Sequence, residues 1–229
     1  MARRTTANLG LDSRKVHVVK PACSSLVHPD QQHPETATRC ATLPGGYKVL
    51  FLSGYYPHKN FSLLPRAAQC LKEQHGIEDL SFIITLPHDL PATEALLRDA
   101  ASRNVDHMLY NFGPVPQAGC AELYKRVDAV ILPSSLESFS NTIAEAWTMR
   151  KPLLVSDLDW ARDACGNGAA YITYDDAEDT AASIAALRGD PVRAAELIDA
   201  GTRARLGYPS SEQRFKGYQD LIQALVPAR

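Results

Sequence analysis

The chain has 229 residues, 45% of them hydrophobic and 22% charged, with a formal net charge of -2. Such a composition fits one large folded domain or one domain with appendages, and it supplies no overall attraction to nucleic acid or an anionic membrane. No apolar run approaches the roughly 18 residues that a bilayer span needs. The basic start Met1-Ala2-Arg3-Arg4 leads into no apolar stretch, so neither a secretory nor a twin-arginine export signal is expected. Cys23, Cys40, Cys70, Cys120 and Cys165 are widely spaced and odd in number. That pattern predicts reduced thiols in a cytoplasmic protein, with no disulfide framework and no metal site.

In chain order, Val16–Val19 reads as a short strand, and Pro21 to Gly46 is rich in Pro, Ser, Thr, His and Gln. Residues 1–46 are therefore expected to be a linker or irregular lead-in. From residue 47 to 229 short β-branched apolar runs alternate with amphipathic segments. Lys48–Ser53 reads as a strand, and Leu63, Leu64, Ala67, Ala68 and Leu71 give one apolar face to a helix over Asn60–Gln74. Strand Leu80–Leu86 precedes helix Pro91–Arg103, in which Pro91 suits the first turn. Strand Val105–Phe112, helix Ala118–Arg126 and strand Ala129–Leu132 come next. They are followed by helix Asn141–Met149, strand Pro152–Ser156, helix Asp159–Ala164 and strand Ala169–Thr173. Three alanine-rich helices, Ala177–Leu187, Pro191–Arg205 and Ser211–Leu225, read as structural cover. Apolar strands alternating with helices predict an α/β fold, a doubly wound, Rossmann-like parallel sheet with helices on both faces. Ligands of such a sheet bind beyond the carboxyl ends of its strands.

Neither a glycine-rich dinucleotide fingerprint nor a P-loop is present. The segment Pro133-Ser134-Ser135-Leu136-Glu137-Ser138-Phe139-Ser140 instead leaves a buried strand and opens a helix at Asn141. Amides around Ser140, Asn141 and Thr142, at the positive end of that helix, suit a phosphate. Glu137 in the loop and Glu145 just inside the helix are two carboxylates suited to a hydroxyl-rich ligand. Thr142-Ile143-Ala144-Glu145 equally fits a capping box, in which Glu145 serves only its own helix. Glu137 could be a solvated loop acid and Lys59 a surface lysine. His17, His28, His33, His75, His88 and His107 show no ligand spacing.

The stretch Glu137 to Glu145, continued by Lys151-Pro152-Leu153-Leu154-Val155-Ser156-Asp157 and Gly166-Asn167-Gly168-Ala169-Ala170, resembles the E-x7-E signature of retaining group 1 (family 4) glycosyltransferases of the GT-B fold. The resemblance covers about Val16 to Leu187 and implies the C-terminal, donor-binding domain of such an enzyme. It implies that Glu137 contacts the donor sugar and Glu145 the nucleotide ribose, while Phe139, Ser140, Asn141 and Thr142 hold the diphosphate. It further implies that Lys59 neutralises the pyrophosphate, that Gly54 lets the chain approach closely, and that His58 and Asn60 flank the lysine. Asn111, Phe112 and Gly113 would border the base. Tyr55 stands where relatives commonly carry an arginine.

The implied activity is retaining hexosyl transfer from a nucleoside diphosphate sugar to a glycan or lipid-linked acceptor, as in polysaccharide biosynthesis. No cofactor or metal is expected. Acceptor binding falls to an N-terminal domain that the sequence does not contain. The implied partners include no nucleic acid, and peripheral membrane association stays open. A nucleotide-sugar epimerase or phosphorylase of the same fold, and a non-catalytic nucleotide- or protein-binding module, are the competing readings.

Overall fold

The structure, a computed structural model, describes residues 6, 9–22, 27–138 and 140–225. Its centre is a six-stranded sheet of β1 (Tyr47–Phe51), β2 (Leu80–Ile84), β3 (Leu109–Asn111), β4 (Ala129–Leu132), β5 (Leu153–Ser156) and β6 (Ala170–Ile172). The spatial order is β3-β2-β1-β4-β5-β6 and every pairing is parallel. Every residue of β2, β4 and β5 is buried, as a sheet covered on both faces requires.

Nine helices surround the sheet among the described residues: α1 (Pro34–Arg39), α2 (Leu63–His75), α3 (Pro91–Ser102), α4 (Cys120–Lys125), α5 (Asn141–Thr148), α6 (Asp159–Cys165), α7 (Ala177–Gly189), α8 (Pro191–Arg205) and α9 (Ser211–Leu225). Local chemistry fixes their ends. Gly76 closes α2 in the left-handed conformation, φ 65°, and its N–H donates to the Lys72 carbonyl. Asp176 and Asp190 cap α7 and α8 by accepting from the Asp179 and Arg193 amides, and Pro191 occupies the first position of α8. α5 and α8 pack closely because Gly201 has no Cβ. A Cβ there would lie 2.2 Å from Trp147 Cδ1.

The strand order reverses between β1 and β4, so a crevice opens there between the loops that follow them. Those loops are tied together. The Ser135 amide donates to the His58 carbonyl at 2.8 Å, and the Thr142 hydroxyl donates to the Leu52 carbonyl at 3.3 Å.

Three sequence expectations change. Val16–Val19 forms no strand and instead lies beside the turn Leu206–Pro209 and α9, with which it lines one cavity. Val105–Phe112 splits into a 3₁₀ turn, Asp106–Met108, and the three-residue β3, because only Leu109–Asn111 finds a partner in β2. Within the lead-in, Pro34–Arg39 is helical, and Val27, Thr36 and Cys40 are buried in the fold.

Candidate functional site

Lys59 and Glu137 meet across the crevice. Lys59 ends the 3₁₀ turn Pro57–Lys59 after β1, and its Nζ lies 2.5 Å from Glu137 Oε1 in the loop after β4. Both side chains are largely buried, 12% and 9% exposed. The turn is closed by Asn60, a left-handed residue at φ 55°, ψ 48°, which asparagine tolerates better than most L-residues. Asn60 Nδ2 donates to Asp175 Oδ1 at 3.1 Å, and Arg66 forms an ion pair with the same carboxylate. Asp175, itself at φ 60°, is brought in by the loop that carries the chain from β6 to α7.

His58 is exposed, stacks on Tyr56 with ring centroids 5.6 Å apart, and contributes its carbonyl to the loop tie. A Cβ on Gly54 would meet only Tyr56 Cε2, at 3.5 Å, so nothing in the chain itself demands a glycine there. Tyr55 stacks on Phe61 at 5.8 Å and is 42% exposed.

α5 begins at Asn141 with Ser140 as its N-cap, and no side chain caps it. The capping-box reading therefore fails. Glu145 is the fifth helical residue, beyond reach of the first amides, and its Oε2 accepts from the Tyr124 hydroxyl at 3.0 Å. Glu145 is 7% exposed and Tyr124 fully buried. Burial raises the Glu145 carboxyl above its ordinary 4.5, opposed by the Tyr124 hydrogen bond. The Tyr124 hydroxyl is pushed well above its usual value by burial and then by the Glu145 charge. The two glutamates thus occupy separate settings, Glu137 on Lys59 and Glu145 on Tyr124. Phe139 lies outside the described residues.

Phe112 and Gly113 stand at the end of β3, with two strands, β2 and β1, between them and β4. At about 4.8 Å per strand this puts them roughly 14 Å from the glutamate loop. Only an elongated ligand touches both. Beside Glu137, on the other flank, a cavity of about 760 Å³ runs past Ser140, Ile143 and Trp160 towards Tyr208.

Tyr124 and Asp175 are absent from the sequence reading. Tyr124 sits among apolar residues of a short helix with nothing to mark its hydroxyl, and Asp175 is remote in the chain. Among the described residues no group of three His, Cys, Asp or Glu is placed to hold a metal ion, and no helix is long and apolar enough to cross a membrane. Cys40, Cys70, Cys120 and Cys165 are free thiols, and Cys23 lies outside the described residues.

A doubly wound parallel sheet with this crevice is the architecture of a GT-B glycosyltransferase domain. The chain belongs to the family described as glycosyl transferases group 1, which matches residues 46–190. It is 27% identical to a D-inositol 3-phosphate glycosyltransferase of Thermomonospora curvata over 97% of this chain and 56% of the relative. A second D-inositol 3-phosphate glycosyltransferase, of Nocardia farcinica, is 26% identical over 82% of this chain and 43% of its own length. The chain thus spans about half the length of the curated relatives it matches. A glycosyltransferase from Rickettsia africae superposes with TM-score 0.80 at 18% identity, over 96% of this chain and 59% of that one. The C-terminal domain of a glycosyl transferase group 1 family protein from Francisella tularensis superposes with TM-score 0.65 at 14% identity, over 81% of this chain and 97% of that domain.

Proposed function

We propose that this domain binds a nucleoside diphosphate sugar and serves retaining transfer of its hexosyl group to a hydroxyl-bearing acceptor. The observation that carries this reading is the Lys59–Glu137 pair beside the uncapped start of α5. A departing diphosphate accumulates negative charge, which an ammonium and helix-end amides stabilise at fixed positions. Lys59 shifts from Glu137 to the phosphates as the donor binds, with the amides of residues 140–142 on the other side. Glu137, released from the lysine, accepts hydrogen bonds from donor hydroxyls. Glu145 accepts from the ribose while keeping its bond to Tyr124, since a carboxylate has about four acceptor positions. The base lies at the end of β3, by Phe112 and Gly113. The scheme needs no metal, because lysine and backbone supply the positive charge.

The acceptor, a glycan, a lipid-linked molecule or the D-inositol 3-phosphate of the relatives' names, is chosen by the part of those proteins that this chain does not span. The donor is met on the cytoplasmic side. A non-catalytic nucleotide-binding module is the second reading, favoured by Tyr55 in place of a phosphate-binding arginine.

Donor hydrolysis and transfer, measured with a labelled nucleotide sugar, separate the two. Addition of a polypeptide matching the rest of a relative should give turnover with the donor's anomeric configuration kept in the product. Donor binding with no turnover under any such complementation supports the module, and an inverted product overturns retention.

A further inference from the structure

The segment ahead of the sheet is fastened to the far wall of the crevice. Pro34 starts α1, and the Thr36 amide donates to His33 Nδ1 at 3.2 Å. Thr36 presses on the turn before α4 so closely that a Cβ on Gly119 would lie 2.3 Å from its hydroxyl. The His33 amide donates to Glu122 Oε1 at 3.3 Å, and Lys125 Nζ bonds both the Gln31 carbonyl at 2.5 Å and Glu122 at 3.0 Å. α1 is therefore a fixed platform on α4.

From its last residue, Arg39 reaches over the end of β3. Nη2 donates to the Phe112 carbonyl at 2.7 Å and Nη1 to the Pro114 carbonyl at 3.1 Å, while the guanidinium lies 4.3 Å from the centre of the Phe112 ring. These carbonyls flank Gly113, whose φ is +80° and whose absent Cβ would stand 2.6 Å from His88 Nε2. From the opposite side, Asn111 Oδ1 accepts from the Gly113 and Leu86 amides at 3.2 and 3.1 Å, and Nδ2 donates to the Leu86 carbonyl at 3.0 Å. The turn is thus fixed from within by one amide side chain and from outside by one guanidinium. A planar fork that also stacks on an aromatic ring sets the direction of both carbonyls, which a lysine's single ammonium does not.

We propose that Arg39 is a positioning residue for base recognition: by fixing the Phe112–Pro114 backbone it sets the wall against which the nucleotide base is read. This rests on the proposed nucleotide site and extends it to a residue outside the segment that the family matches, residues 46–190. With Arg39 removed, the Phe112 and Pro114 carbonyls lose their fixed direction although Asn111 still holds the Gly113 amide, and the wall accepts bases of different edge pattern with similar ease.

Titration of the full chain with UDP, GDP, ADP and inorganic pyrophosphate, together with thermal melting, tests this for the native protein, Arg39→Ala and Arg39→Lys. The ratio of the best to the second-best nucleoside diphosphate should fall at least tenfold in Arg39→Ala, with pyrophosphate affinity unchanged. Arg39→Lys should also lose most of the ratio, and it carries the test if the alanine variant does not fold. A lowered Tm with the native ratio intact makes Arg39 a staple only and overturns the inference. A native protein that binds pyrophosphate yet treats the three nucleotides alike removes the base wall, and with it this role for Arg39. One that binds none of the four ligands removes the nucleotide site itself.

Discussion

Lys59 and Glu137, 78 residues apart in the chain, form an ion pair of 2.5 Å at the point where the strand order of the sheet reverses. The pair is the hinge of the proposed chemistry, because each side chain holds the other ready for a ligand that takes both. It also contributes to stability. Lys59→Ala leaves Glu137 buried without its counter-ion and should lower stability by about 3 kcal/mol in urea denaturation. Lys59→Met combined with Glu137→Gln, which removes both charges, should recover more than half of that loss. A double variant no more stable than the single would show that the ion pair does not hold these loops.

The burial of Glu145, opposed by its bond to Tyr124, gives stability a pH dependence of defined sign. Burial raises the folded carboxyl above 4.5, so the folded chain holds the proton more tightly than the unfolded one. The resulting stability is fully present below the unfolded value and is lost as pH rises through the raised folded value. Glu145→Gln should therefore gain on the native protein as pH rises across that window and level off above it. Tyr124→Phe should cost about 1–3 kcal/mol at neutral pH, and less in acid, because a buried carboxylate loses its donor. Melting curves across the acid range decide both, and parallel curves for native and Glu145→Gln would contradict the assignment.

Gly201→Ala sets two effects against each other. Alanine gains about 1 kcal/mol of helix propensity over glycine. The new methyl would stand 2.2 Å from Trp147 Cδ1, whose indole N–H is bonded to the Gly168 carbonyl at 2.8 Å. Overpacking of about 1–3 kcal/mol outweighs the propensity. A lower Tm with altered tryptophan fluorescence is expected, and a stabilised variant would mean that α5 and α8 can separate freely.

Asn60 combines a left-handed backbone with a side-chain bond to Asp175. Asn60→Gly keeps the backbone and loses the bond, whereas Asn60→Ala loses both. Alanine should be the worse by about 1 kcal/mol, the order of the left-handed penalty for an L-residue. Equal stabilities in denaturant would place the turn in another conformation.

Legibility in the sequence followed the range of the physics. Ala129–Leu132 is readable as a buried strand because its apolar residues are contiguous, and the helix that starts at Pro91 because proline suits a first helical turn. Val16–Val19 carries the same local signal as a strand yet has no neighbour to pair with, and pairing is not written in a four-residue run. The lead-in was opaque for the converse reason. Its helix is six residues long, and its worth lies in Thr36, Cys40 and Arg39 meeting α4 and β3, contacts that no periodicity announces. At the site, the loop-and-helix placement of Glu137 and Glu145 was visible from spacing. That Lys59 pairs with Glu137, and that a buried tyrosine holds Glu145, depends on which strands become neighbours.

The nucleotide site itself is tested most directly by calorimetry with UDP, GDP and ADP, followed by their sugars. One nucleotide should bind best, with its affinity reduced about tenfold or more in Lys59→Ala, where charge-assisted bonds to phosphate are lost, and reduced again in Glu145→Ala. Equal and negligible heats for every nucleotide, or a preferred nucleotide that binds both variants as it binds the native chain, would contradict a donor site built on Lys59 and Glu145.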